Sequence, residues 1–437
     1  RHSQLQGLFR YGEIKMSFEE RYEKVQRLAL SLRRHREKIV SLAAGDLKFS
    51  QKDSLYELDL AVERLKMFAE VRESLEGRRP LGGPDSRVAV MLSYNGSAWL
   101  NIVITAAYMA GNKVLVKFSS KGSRVMALTE AIYRPIFGDQ VVFYRTRGKT
   151  FMEEALKNPQ VSAVVFFGFD EHVLPYEEAF RKTGKKMIFE GPGSDPFIVF
   201  PDADPDLALG DLMKAKFAYS GQTCTAPKRI FIHRAIYPQF LEMMMDEVKT
   251  LFVGEPEDES MDVTPLASGL AVARIQEALA DAANKGAKIL AGGTIEGNLV
   301  YPTVIKDATD DMLGMREEIF GPVLFTTSFD TVQEVIARAR NHKYGLRAAL
   351  FGGLEAKQAA AALKGRDYCH QVLDYLFGKF GTVALNETRA QSWRGALVTK
   401  AVGGYGYSGW IWETVNGRFQ IKQGPKLIHL ETSLPAL

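Results

Sequence analysis

The sequence predicts an α/β protein of two doubly wound parallel α/β domains. Three observations carry that prediction. Between residues 88 and 167, apolar runs of strand length alternate with longer helical stretches, which is the pattern of parallel strands buried on both faces. The alternation halts at Glu190-Gly191-Pro192-Gly193 and starts again at residue 197. The chain has 437 residues, 46% hydrophobic and 25% charged, and is long enough for more than one core.

Taken in order, the chain first shows a capping-box pair, Ser17 and Glu20, ahead of Val25, Leu28 and Leu32 at helical spacing. A second helix carries Leu55, Leu58, Ala61, Leu65 and Phe68 on one stripe, and Gly82-Gly83-Pro84-Asp85 breaks the chain after it. Strands are then expected at 88–92, 113–117, 141–144 and 163–167, with helices at 98–110, 124–134 and 151–156 between them. Such a sheet binds its ligand beyond the carboxyl ends of its strands. Asn95, Lys117, Gly148 and Gly168 all fall there, so that one nucleotide could touch all four. The second unit is expected to hold strands at 197–200, 228–233, 288–291 and 323–329, with helices at 207–217, 238–251, 271–284 and 332–340.

Composition narrows the function classes. Lysine and arginine number 56 against 52 acidic residues, an excess too small to imply nucleic acid. The Arg33-Arg34-His35-Arg36 cluster reads as a solvated helix face. With no apolar run of about eighteen residues and no signal peptide in the sequence, no membrane partner is expected. Two cysteines cannot build a disulfide framework, which favours a reducing, cytoplasmic setting. Cys369 and His370, in a stretch at 366–380, are too few for a metal site, and no metal is expected.

Chemistry concentrates around Cys224, which sits in Gly221-Gln222-Thr223-Cys224-Thr225 between a predicted helix and a predicted strand. A thiol on a turn can meet a substrate, but a free cysteine has a pKa of about 8.5 and needs donors or a base nearby. Glu190 ends the apolar run Met187-Ile188-Phe189 and precedes Gly-Pro-Gly. A carboxylate so placed is partly desolvated, which raises its pKa toward the range a general base needs.

These two segments, at this separation, resemble the glutamate and cysteine signatures of the aldehyde dehydrogenase superfamily. Tyr94-Asn95, Lys117, Glu317-Glu318-Ile319-Phe320-Gly321-Pro322 and Gly403-Gly404-Tyr405-Gly406 follow in the family's order, and the resemblance spans residues 17–410. It implies an aldehyde dehydrogenase-like fold, with a cofactor-binding, Rossmann-like domain at 1–190, a catalytic domain at 191–410 and oligomerisation through 411–437. It also implies NAD(P)-dependent oxidation of an aldehyde to a carboxylic acid through a thiohemiacetal and a thioester. Cys224 would be the nucleophile, Glu190 the base for the deacylating water, and Asn95 an oxyanion donor. Lys117 would hold the adenosine ribose and Glu318 the nicotinamide ribose, with Phe320 beside the ring. Residues 426–431 have strand-like composition and no strand to pair with in their own domain, so a partner subunit's sheet is implied, in a homodimer or homotetramer.

The chain also departs from the family. Ser120, followed by Lys121, stands where a glutamate often reads the ribose 2′-hydroxyl, which implies that NADP is accepted as well as NAD. Gly168-Phe169-Asp170 replaces a Gly-Ser-Thr loop over the pyrophosphate. Trp99, Tyr219, Thr223, Thr225 and Val402 are expected to line the tunnel of a mostly apolar, uncharged aldehyde. Two other readings remain open: a reductase of this fold that passes the acyl group to coenzyme A or phosphate, and a binding or structural homologue with little activity.

Overall fold

Two seven-stranded sheets organise the chain in the computed structural model, which describes residues 16–353, 368–387 and 402–435, without the side chains of 368–370. Helices α1 (Phe18–Arg34), α2 (Arg36–Leu47) and α3 (Gln51–Lys66) come first. The capping box at Ser17 forms as expected, its hydroxyl accepting from the Glu20 N–H. The Arg33–Arg36 cluster marks the break between α1 and α2, with Arg33 and Arg36 in exposed ion pairs to Glu63 and Asp59.

The first sheet is built by β1 (Arg87–Leu92), β2 (Lys113–Phe118), β3 (Val141–Phe143), β4 (Val161–Phe167) and β5 (Lys186–Glu190), all parallel. Helices α4 (Leu100–Met109), α5 (Ser123–Phe137), α6 (Gly148–Lys157) and α7 (Glu177–Thr183) connect them. The order β5-β4-β1-β2-β3 reverses direction between β1 and β4. That reversal opens a crevice at the strands' carboxyl ends, the place where doubly wound sheets bind ligands. One core packs α1, α3, α4 and α5 on one face, and another packs α6 and α7 on the opposite face.

The second sheet holds β6 (Asp195–Val199), β7 (Pro227–His233), β8 (Lys288–Ala291), β9 (Thr303–Lys306), β10 (Val323–Phe329), β11 (Arg347–Phe351) and β12 (Thr382–Leu385). Its order is β12-β11-β6-β7-β10-β9-β8, parallel except for the edge strand β8. Helices α8 (Pro205–Phe217), α9 (Tyr237–Lys249), α10 (Gly269–Asn284) and α11 (Val332–Arg340) cover it, and α12 (Tyr368–Leu376) packs against α11. The expected 366–380 stretch is therefore mostly this helix, and the side chains of Cys369 and His370 lie outside the described residues.

The chain then returns to the first sheet. Strands β13 (Gly409–Val415) and β14 (Arg418–Lys422) form a hairpin whose β13 pairs antiparallel with β5, burying Trp410 and Trp412. The strand expected at 426–431 does not form. Gly424, at φ 111, and Pro425 redirect the chain. Lys426 then bridges to Val402, and Ile428–Glu431 is a single helical turn, α13, packed on α4 with Ile428 and His429 buried. Ser433–Pro435 pairs antiparallel with Arg78–Pro80 of the same chain. The tail is thus accounted for within its own subunit.

Candidate active site

Helix α8 ends at Phe217, and the chain turns through Tyr219 and Ser220, both at φ 54, and Gly221 at φ 75. Left-handed backbone at two non-glycine residues is strained and must be held by its surroundings. Here the Tyr219 N–H donates to the Asp53 carboxylate at 2.7 Å, and the Thr264 N–H donates to the Ser220 hydroxyl at 2.8 Å. The Gln222 side chain completes the clamp, donating to the Tyr219 carbonyl at 3.1 Å and accepting from the Ala267 N–H at 3.0 Å. Cys224 follows on a turn, as expected. Below it, the fully buried Lys228 of β7 donates to the carbonyls of Cys224 (2.7 Å) and Thr223 (3.1 Å) and lies 3.6 Å from the Glu318 carboxylate.

One cleft brings together seven of the expected site residues: Asn95, Gly168, Phe169, Glu190, Cys224, Glu318 and Phe320. They come from different parts of the fold. Asn95 follows β1, Gly168 and Phe169 follow β4, and Glu190 ends β5, while Cys224 precedes β7 and Glu318 and Phe320 precede β10. Glu190 is bound into the first sheet by its backbone, its carbonyl accepting the Gly168 N–H at 3.1 Å. The Glu318 carboxylate accepts the Gly193 N–H at 3.1 Å, which ties the Glu190 segment to the segment of the second unit that carries Phe320.

Burial pushes the Cys224 thiol up to about 12, and the Glu190 carboxylate adds to the rise while the Lys228 ammonium opposes it. The resting group is therefore a thiol, and attack requires removal of its proton. Burial likewise raises Glu318 above the usual carboxylate range, with Lys228 and the Gly193 N–H pulling it back. Asp195, buried at the start of β6, is pushed up to about 7 by its burial, against the pull of Lys228 and Arg347.

Asn95 does not cap the neighbouring helix. That work falls to Glu57 of α3, a buried carboxylate that accepts from the N–H groups of Ser97 (2.8 Å) and Trp99 (2.9 Å) and from the Ser97 hydroxyl (2.6 Å). The Asn95 side-chain oxygen accepts from the Ser93 hydroxyl. Sequence reasoning missed Glu57 and Lys228. Glu57 gives no signal, because its cap is about forty residues away along the chain. Lys228 could have been found, with Arg229, as one of two adjacent charges opening a strand whose centre is apolar.

Lys117 and Ser120 lie outside this cleft. Lys117 is at the carboxyl end of β2, paired in register with Met91 of β1, and its ammonium donates to the Phe118 carbonyl. Ser120 is exposed. Lys121 reaches across to the second unit, where it donates to the Ala267 carbonyl at 3.1 Å and lies 5.7 Å from the Tyr94 ring centre. Beside Phe169, a groove also takes in Glu171, Arg274 and Glu318. The Arg274 guanidinium lies 5.0 Å from the Phe169 ring centre and 3.4 Å from Glu171.

These groups fit a dinucleotide. A buried ammonium at one strand end and a buried carboxylate across the crevice suit the hydroxyls of two riboses. A Cβ at Gly168 would stand 2.8 Å from the Phe166 ring, so packing within the protein keeps this position bare. Of the residues expected at the entrance, Trp99 packs edge-on against Phe167 and Tyr219 lines a separate cavity with Asp53 and Leu251. Thr225 faces Asp211 and Arg347, while Thr223 and Val402 are buried. The cleft walls are instead Phe167, Phe169, Pro192 and Phe320.

The chain matches the aldehyde dehydrogenase family over residues 13–417. A sulfoacetaldehyde dehydrogenase of Neptuniibacter caesariensis is 28% identical over 346 residues, 75% of each chain. An NADP-dependent succinate-semialdehyde dehydrogenase of Escherichia coli is 35% identical over 198 residues, 45% of this chain and 41% of that one. The crystal structure of an E. coli NADP-dependent enzyme shares the fold, with a TM-score of 0.83 at 22% identity over 96% of this chain and 85% of that one.

Proposed function

The chain belongs to the aldehyde dehydrogenase family, and from that premise we propose how its residues divide the chemistry. The protein is an NAD(P)-dependent enzyme that oxidises an aldehyde. The Cys224 thiol gives its proton to water, and the thiolate adds to the aldehyde carbon. The oxygen that becomes negative is held by the Asn95 amide. The dinucleotide, when bound, supplies the hydride acceptor; Lys117 and Glu318 hold its riboses, Phe320 flanks its ring, and Gly168 and Phe169 border its diphosphate.

The acyl group is then a thioester on Cys224. Glu190 removes a proton from water as that oxygen attacks the thioester carbon. The carbon–sulfur bond breaks and the carboxylic acid leaves. The observation that supports this reading is the meeting of Cys224, Glu190 and Asn95 in one cleft, from three separate segments. Cys224→Ala tests it: turnover should vanish while dinucleotide binding persists. Asn95→Ala should cost about 10² to 10³ in kcat, the usual worth of one oxyanion donor. Substantial aldehyde oxidation by Cys224→Ala would end the covalent mechanism.

The same reading holds that NADP is accepted at least as well as NAD, since Ser120 puts no carboxylate at the end of β2. It also takes the protein to be a cytoplasmic homodimer or homotetramer. The support for association is now β14, the outer strand of its sheet, which among the described residues has a neighbour on one side only, and which carries an exposed Ile421.

A further inference from the structure

The C-terminal segment brings a lysine to the proposed base. Val402 and Lys426 exchange two backbone hydrogen bonds, 2.9 and 3.0 Å, which fixes the lysine opposite Val402 and beside Gly403. Gly403 has φ 71, and a Cβ there would stand 2.6 Å from Lys426 Cε, 2.8 Å from Nζ and 3.5 Å from Glu190 Oε2. The lysine side chain therefore passes over the bare Cα of Gly403, and its ammonium and the Glu190 carboxylate border the same small space. Lys426 is only 5% exposed, and its Nζ has no hydrogen-bond partner among the described residues. A buried ammonium without a hydrogen bond is costly unless an opposite charge faces it.

We propose that Lys426 is the positioning residue of the general base: its ammonium keeps the Glu190 carboxylate ionised and aimed into the Cys224 cleft. The inference rests on the reading of Glu190 as the base. The other charged groups around the lysine do not replace that partner. Lys186, also on β5, repels it and is itself paired with Glu413 at 3.4 Å and Glu431 at 2.5 Å. Glu431 of α13 attracts Lys426 less than Glu190 does, and is held by Lys186. On its other side, Glu190 faces the Cys224 thiol, whose ionisation it opposes. Burial draws the Lys426 ammonium down to about 8, so it remains charged through neutral pH.

The test is the pH profile of turnover in the full-length enzyme with Lys426→Met and Lys426→Gln. Removing one partner of a buried pair leaves the other charge uncompensated and destabilises the fold, so melting curves establish for each variant that it is folded at the assay temperature. An opposite charge within about 4–6 Å lowers a carboxyl pKa by about one to three units. The acid limb of turnover should therefore move up by about that much in both variants, while one equivalent of reduced cofactor still forms rapidly. A lysine with only a structural role would lower turnover at every pH and leave the limb in place. An unmoved limb in folded variants, with Glu190→Gln inactive, overturns the role of Lys426 and leaves the base standing. If Glu190→Gln retains wild-type turnover, the assignment of the base fails, and this inference with it.

Discussion

Gly193 has no room for a side chain, because the carbonyl oxygen of Cys224 lies 2.5 Å from where its Cβ would stand. The Glu190-Gly-Pro-Gly segment and the cysteine turn are thus in backbone contact. Gly193→Ala must push them apart, and overpacking of this kind costs about 1–3 kcal/mol. Because the same N–H also binds Glu318, the variant should lose turnover by a larger factor than its melting temperature suggests. Calorimetry beside steady-state kinetics checks this, and full activity in Gly193→Ala would show that the contact yields freely.

The resting thiol gives a second expectation. With Cys224 held at about 12, chiefly by burial, its alkylation by iodoacetamide should keep rising tenfold per pH unit well above the level-off near 8.5 of a free cysteine. Mass mapping of the Cys224 peptide follows it separately from Cys369. Lys228→Met removes the cation that opposes the shift, so labelling should slow further. Faster labelling in that variant would reverse the assigned role of Lys228.

Cofactor choice turns on one exposed side chain. Ser120→Glu places a carboxylate where a 2′-phosphate would lie and a 2′-hydroxyl could donate to it. NADP affinity should fall by about tenfold or more, with NAD held or improved. Fluorescence titration of both dinucleotides reads the change. Equal loss for both would mean that the loop after β2 does not meet the adenosine ribose.

The alternation of strands and helices in both units was legible because each buried parallel strand is a continuous apolar run. The strands that escaped were β9, β11 and β12, whose short runs lie among turns, and the β13–β14 hairpin. The hairpin had its own signal: Asn416-Gly417, now seen at φ 51 and 75, is the dipeptide that a two-residue hairpin turn favours. Asn95 was readable because it follows a predicted strand, Cys224 because it lies in the turn between a predicted helix and strand, and Glu190 because it ends an apolar run. Glu57 and Lys426 were not, since each acts on a segment brought close only by the fold. Residues 426–431 misled because three apolar residues in six suit a strand and a half-buried helical turn alike.

Asp53 supplies a prediction on stability. Burial pushes its carboxyl up to about 6, against the pull of Ser50 and the Tyr219 N–H. The folded value lies above the unfolded one, so the folded state favours the protonated acid. The stability this gives is fully present below about pH 4 and is lost as pH rises through 6. In Asp53→Asn the side-chain amide would carry no charge while its oxygen could still accept from the Tyr219 N–H. The variant should therefore gain on the wild type between pH 4 and pH 7 in urea unfolding. A difference that stays constant with pH would show that Asp53 is not desolvated in the folded protein.

Hydrolysis and acyl transfer to a thiol are separated by Glu190. Coenzyme A brings its own nucleophile and needs no water-activating base, so an acylating enzyme has little use for a carboxylate held in the cleft beside Cys224. If Glu190 activates the deacylating water, Glu190→Gln removes the base at nearly constant size. Thioester breakdown should then fail before acylation does. Steady-state turnover should fall by about 10² to 10⁴, the range of one general base, while a burst near one equivalent of reduced cofactor per Cys224 remains. Added coenzyme A should do little for the wild type, where water already competes well. Wild-type turnover that depends on coenzyme A, with Glu190→Gln nearly unaffected, would assign the enzyme to the acylating class instead.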